Sequence, residues 1–145
     1  MATIEKSTII KASTAEIDRF ALDASTWPQW FQGVKSVQTD GVFPEVGGSV
    51  ETVYHSMGTN FTLTMTSEEL VVGSHLVFSM DGMIHGTQNW HYEAEGAAIR
   101  VFCLFDYELP GGGLGKIADK MLFQRTNSSS IETSLQNLKA IVEQQ

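Results

Sequence analysis

Between Val34 and Leu109 apolar and polar residues alternate in six successive runs, and no stretch keeps a helical period for a useful length. A period of two places alternate side chains on opposite faces of a strand. The runs are Val34 to Asp40, Ser49 to Ser56, Asn60 to Leu70, His75 to Met80, Gly86 to Glu95 and Ala98 to Leu109. Glycine-bearing breaks at 41–48, Met57-Gly58, Val72-Gly73, Asp81-Gly82 and Glu95-Gly96 separate them, which predicts an antiparallel meander. In the last run Val101, Cys103, Phe105, Tyr107 and Leu109 share the face assigned inward, and Arg100, Phe102, Leu104, Asp106 and Glu108 share the other.

The flanks carry other patterns. Thr3 to Lys11, rich in Thr and Ile, reads as a first strand with Ile4, Thr8 and Ile10 on one face. Ser13-Thr14-Ala15-Glu16 has the spacing of a capping box, and Ile17, Phe20 and Ala21 follow at helical intervals. In Ser25-Thr26-Trp27-Pro28-Gln29-Trp30-Phe31 a capping hydroxyl precedes a proline tolerated in a first turn, predicting a second short helix whose three aromatics cap the core. Beyond Pro110-Gly111-Gly112-Gly113, the residues Leu114, Ile117, Met121, Ile131, Leu135, Leu138 and Val142 recur at helical spacing. Thirty residues at about 1.5 Å each make a helix of about 45 Å, long enough to cross a curved sheet. Its apolar stripe breaks at Gln124-Arg125-Thr126-Asn127-Ser128-Ser129-Ser130. Either a kink or loop divides the helix there, or its inner face borders a cavity.

Composition narrows the partners. The 145 residues, 42% hydrophobic and 18% charged, suit one domain over 1–145. Nine Lys and Arg against 17 Asp and Glu give a net charge of −8, which argues against nucleic acid and anionic membrane as partners. The acidity lies in residues 1–113, whereas 114–145 carry four basic and three acidic groups. No run of about 18 apolar residues and no signal-peptide pattern is present, so the expectation is a cytoplasmic protein with no integral membrane association. One cysteine, Cys103, excludes an internal disulfide and a multi-thiolate zinc site.

The element order, together with Gly86-Thr87-Gln88-Asn89-Trp90-His91-Tyr92-Glu93, Phe105-Asp106-Tyr107-Glu108-Leu109-Pro110-Gly111-Gly112 and Leu114-Gly115-Lys116, resembles the START-like (helix-grip, SRPBCC) superfamily. More narrowly it resembles the polyketide cyclase/dehydrase and lipid-transport family, as does Ile9 to Ile17 followed by Trp27-Pro28-Gln29-Trp30. The resemblance implies an α+β helix-grip fold. A curved seven-stranded antiparallel sheet would wrap around a long C-terminal helix, with two short helices after strand 1 and a hydrophobic cavity between sheet and helix. Family members include carriers and aromatase/cyclases, so the fold alone does not fix the activity.

Few residues suggest catalytic chemistry. Gly111-Gly112-Gly113-Leu114-Gly115-Lys116 fails as a phosphate loop, because Pro110 stands where a glycine and Ile117 where a hydroxyl is needed. His55, His75, His85 and His91 have no metal-ligand spacing, and His55 and His91 alternate with aromatics and are assigned to solvent. Cys103 reads as a small buried hydrophobe, and Asp106 and Glu108 lie on a solvated face with Arg100. No metal and no cofactor are expected.

What remains is a bulky, adaptable inward set. The expected cavity lining is Tyr54, Phe61, Leu63, Met65, Phe78, Met80, Trp90, Tyr92, Cys103, Phe105, Tyr107 and Met121, with Arg125, Asn127 and Ser128 able to hydrogen-bond a ligand carbonyl or carboxylate. The expected function is binding or transport of a small hydrophobic, lipid-, polyketide- or steroid-like molecule in a cavity of roughly 300–1,000 Å³. The alternative is a polyketide cyclase or aromatase-dehydratase using Tyr54, His55, Tyr92, Tyr107 or Arg125 as acid or base. Entry is expected between the turns at Gly47-Gly48, Met57-Gly58 and Gly82-Met83 and a helix lip of Leu114, Ala118 and Leu122. Trp27 to Phe31 serves there as either a swinging lid or a fixed plug.

Overall fold

The computed structural model describes residues 2–108 and 120–144. Seven strands form one antiparallel sheet: β1 (Ala2–Ile10), β2 (Val34–Thr39), β3 (Ser49–Ser56), β4 (Thr59–Val71), β5 (His75–Gly82), β6 (His85–Glu95) and β7 (Ala98–Glu108). Their order across the sheet is β1-β7-β6-β5-β4-β3-β2. The first strand thus pairs with the last, Ala2 opposite Tyr107 and Ile10 opposite Ile99, while the other five pairings follow chain order. Between β1 and β2 come α1 (Thr14–Ala21), a 3₁₀ turn (Ala24–Thr26) and the four-residue α2 (Trp27–Trp30). The chain closes with α3 (Lys120–Glu143), and Leu109 to Asp119, including Leu114, Ile117 and Ala118, lie outside the described residues.

Local chemistry explains the boundaries. Ser13 and Glu16 form the reciprocal capping box that starts α1. The 3₁₀ turn is capped by Asp23, whose carboxylate accepts from the Ser25 amide at 3.0 Å and the Ser25 hydroxyl at 2.6 Å, so Ser25 is the capped residue rather than the cap. Met57-Gly58 turns β3 into β4 in two residues, both with positive φ (52° and 77°), the backbone that a twisted hairpin demands. Asp40 organises the β2–β3 loop by accepting from the amides of Val42, Phe43 and Ser49. Those amides, Val42 first, hold its carboxyl below the usual range.

The polar middle of α3 neither kinks nor loops: the helix runs unbroken from Lys120 to Glu143. It buries Phe123, Asn127, Ile131, Ser134, Leu135, Leu138 and Val142, a stripe with a polar residue where an aliphatic one would close it. Met121 points elsewhere. At 100° per residue it lies about 100° around the helix from the centre of that stripe, and it is 68% exposed. The expected contact of Met121 with the interior is therefore corrected, and Phe123 takes its place.

Candidate ligand site between the sheet and the long helix

Two tyrosines define the half of the interior beneath the start of α3. Tyr54 projects from β3 and Tyr107 from β7, strands separated by β4, β5 and β6, a span of about 19 Å on a flat sheet. Yet Tyr54 meets Ser130 and Tyr107 meets Asn127, two helix residues only about 4.5 Å apart along the axis. The sheet must curl for both contacts to form. The arc between them is lined by Leu63 and Met65 of β4, Phe78 and Met80 of β5, and Gln88 and Trp90 of β6, all buried.

Close packing sets the position of Tyr54. Its ring lies across Gly33, where an added Cβ would come within 2.8 Å of the phenol carbon, and Gly33 has φ +92°. Only glycine meets both demands. Tyr107 packs against Phe105 (4.8 Å between ring centres) and edge-on to Phe123 (5.8 Å). Burial raises both phenol pKa values, opposed by Ser130 at Tyr54 and by Asn127 at Tyr107. Asn127 is 2% exposed, and its amide NH₂ lies close enough to the Tyr107 hydroxyl to influence it but completes no hydrogen bond with it or with any other protein group; the buried Ser56 hydroxyl, which shares the inner face of β3 with Tyr54, is likewise unpartnered.

The other half of the interior is a plug. Trp27, Trp30 and Phe31 are 1–3% exposed and interlock with Phe43, Phe78 and Trp90 at ring-centre distances of 5.3 to 5.8 Å. Every indole N–H is used: Trp27 donates to the Ala21 carbonyl (3.2 Å), Trp30 to Thr26 Oγ1 (3.1 Å) and Trp90 to Gln88 Oε1 (2.8 Å). From α3, Asn137 Nδ2 donates to the Trp30 carbonyl (3.1 Å), and Ser134 Oγ accepts from the Gln32 amide (2.8 Å). Asp18 of α1 ties the assembly to the sheet by accepting from Tyr92 Oη at 2.6 Å and from the Gly73 amide at 2.8 Å. Trp27 to Phe31 thus packs as a plug, tied by hydrogen bonds to α1 and α3. The enclosed void at this end measures about 10 Å³, room for one water at most.

Most of the expected lining comes together on the face covered by α3. Tyr54, Leu63, Met65, Phe78, Met80, Trp90, Cys103, Phe105 and Tyr107 are buried there, and Phe61 is half-buried with its ring 5.5 Å from Tyr54. Tyr92 is half-buried and committed to Asp18; burial and then that carboxylate push its pKa up. Arg125 is exposed in an open surface groove with Gln32, Thr126, Ser129 and Thr133, outside the interior, and Ser128 is half-buried. Depressions of about 330–400 Å³ occur along the surface, but the enclosed void lined by described residues is far smaller than the expected cavity. Gln88 and Ser56 belong to the inner set without having been expected there, and half-buried Ser130 borders both Tyr54 and the outer groove; for Gln88 the available signal was its alternation with Trp90 and Tyr92.

Acid–base chemistry is sparse in the inner set. His55 pairs with Asn60 (2.6 Å), His75 with Glu69 (2.8 Å) and His85 with Asp81 (2.9 Å), while His91 stacks on Phe102 on the opposite face of the sheet. Burial raises the Cys103 thiol pKa well above its usual value, the reverse of nucleophile activation. Asp106 accepts from Thr3 on the outer face, 2.7 Å away. Among the described residues no three His, Cys, Asp or Glu side chains are grouped to hold a metal.

Residues 1–143 match the family model described as polyketide cyclase/dehydrase and lipid transport. Solved structures share the fold over nearly their whole length. TTHA0849 from Thermus thermophilus is 21% identical, with 97% of each chain covered and a TM-score of 0.82. A START superfamily protein from Mycobacterium smegmatis is 14% identical, with 98% of this chain and 97% of that chain covered and a TM-score of 0.80. The Zhui aromatase/cyclase from Streptomyces sp. R1128 is 13% identical, with 99% and 94% covered and a TM-score of 0.79. No curated protein matches the chain in sequence. At such identities the likeness concerns the fold.

Proposed function

Because the chain belongs to the polyketide cyclase/dehydrase and lipid-transport family, we propose that it binds a small hydrophobic molecule without transforming it, between the sheet and the N-terminal half of α3. The observation that carries this reading is the inner set around Tyr54 and Tyr107, which among the described residues is uncharged, apolar and thioether side chains meeting hydroxyls and amides. Met65 and Met80 are the adaptable members: unbranched thioethers repack around varied shapes at low cost, so a ligand can be taken up by rearrangement as well as by filling a void. The ends of β3, β5 and β7 share one end of the sheet, and Phe123 against Tyr107 brings the start of α3 there too. Met57, Met121 and Leu122 expose apolar surface at that end, which fits an entrance.

The cyclase alternative draws on the tyrosine pair and on the aromatase/cyclase neighbour. Cyclisation with loss of water needs a base as well as an acid. Burial raises both phenol pKa values, so the tyrosines stay protonated and offer no base, and His55 and Arg125 face outward. The geometry therefore favours a carrier. The test is titration with N-phenyl-1-naphthylamine alongside native mass spectrometry of the purified protein. Saturable one-to-one binding is expected; a signal that never saturates, or no binding, overturns the proposal.

A further inference from the structure

Three polar side chains on the inner side of α3 meet different fates. Ser134 donates to the Ser130 carbonyl (2.7 Å) and accepts from Gln32, and Asn137 donates to the Trp30 carbonyl, so both belong to the plug. Asn127, two turns nearer the start of the helix and 2% exposed, leaves its NH₂ without a protein partner. An unpartnered buried donor is costly, and asparagine is a poor helix former. The neighbouring positions on the stripe, Phe123 and Ile131, show that the site accepts apolar side chains. Asn127 is thus a polar residue that packing does not require.

We propose that Asn127 is a specificity-determining donor for a neutral oxygen acceptor, a ketone or ester carbonyl, on an otherwise apolar ligand. The inference rests on the ligand-binding reading above and deepens it. The Tyr107 hydroxyl stands beside the same amide, so a carbonyl placed there meets two donors. A carboxylate is disfavoured: Arg125 is directed into the outer groove, and among the described residues a bare anion would be desolvated without a counter-charge. An apolar ligand lacking the oxygen would bury the donor just as deeply and leave it unpaired, which is how such sites discriminate.

The test compares fluorene, 9-fluorenone and 9-fluorenol, ring systems that differ only at one carbon, on the full chain and on Asn127→Leu and Asn127→Ala. The ratio of fluorenone to fluorene affinity should fall on the order of tenfold in both variants, with fluorene affinity nearly unchanged. The carbonyl stretch of bound fluorenone should move down in frequency in the native chain and return in the variants. Denaturant melts check that each variant folds; Asn127→Ala introduces no bulk and serves if Asn127→Leu does not fold. An unchanged ratio overturns the inference while leaving ligand binding intact. A preference for fluorenol over fluorenone that disappears in the variants overturns it too, because the amide would then act as acceptor. If none of the three binds, the ligand-binding reading falls and this inference with it.

Discussion

The two halves of the concave interior are built on opposite principles. At the plug, six aromatic rings interlock, each indole N–H has an acceptor, and the remaining void holds one water at most. Beneath the start of α3, hydroxyls and an amide replace aliphatic groups, and two buried polar atoms, Ser56 Oγ and Asn127 Nδ2, have no partner; on the plug side the Ser67 hydroxyl, opposite Phe78, is the counterexample. One half is optimised for stability and the other forgoes stability for a polar interior surface. Division of labour of this kind is expected where a fold keeps a binding region inside its own core.

Substitutions measure how sharp that division is. Trp27→Ala should have the largest effect: removing a fully buried ring from the plug should cost about 3–5 kcal/mol and lower Tm by roughly 10 °C. Apolar-probe affinity on the folded fraction should not change. A large change in probe uptake with little loss of stability would instead make the plug a gate. Asp18→Ala should come next, at about 1–3 kcal/mol, because the Tyr92 hydroxyl and the Gly73 amide both lose their acceptor. A cost near zero in denaturant melts would show that α1 is not anchored through this carboxylate. Asn127→Leu should shift stability by no more than about 1 kcal/mol, in the stabilising direction if the side chain packs. A penalty as large as that of Trp27→Ala would abolish the distinction between the halves.

The smallest expected effect is alkaline. Tyr54, Tyr92 and Tyr107 all have pKa values raised in the folded chain. The unfolded chain therefore releases phenolic protons first, so this contribution is fully present below about pH 10 and is lost as pH rises above it. Tyr92→Phe should flatten the decline in unfolding free energy above about pH 10 more than Tyr107→Phe, because a carboxylate adds to burial only at Tyr92. Equal slopes in the two variants would remove that difference.

Much of this architecture was legible in the residues. Ser49–Ser56 has the bounds its alternation predicted, and the other strand boundaries agree within about two residues wherever they fall on described positions. A period of two is hard to mistake when turn residues punctuate it. The capping box at Ser13 reads directly, because its geometry is local. Helix phase was less legible. Met121 fitted a spacing of seven to Leu135 by way of Ser128, but that spacing drifts by about 20° per seven residues, and the polar gap from Gln124 to Ser130 hid the error. The hydrogen bonds that hold the plug could not be read at all, since they depend on Asp18, Ser134 and Asn137 arriving from distant parts of the chain.

The pairing of β1 with β7 and α3 has a consequence for how the molecule is made. Lys139 Nζ donates to the Ile9 carbonyl (2.7 Å), Glu143 accepts from the Lys11 amide (2.8 Å), and Gln136 reaches Thr8 (3.3 Å), contacts that join residues 128 to 132 positions apart. During synthesis the opening strand must wait for nearly the whole chain before its neighbours exist, some ten seconds at usual elongation rates. Until α3 leaves the ribosome, the aromatic and methionine side chains of the sheet have no cover. The nascent chain therefore passes through a period in which the surface proposed to take up small molecules is open to chaperones and to other nascent chains.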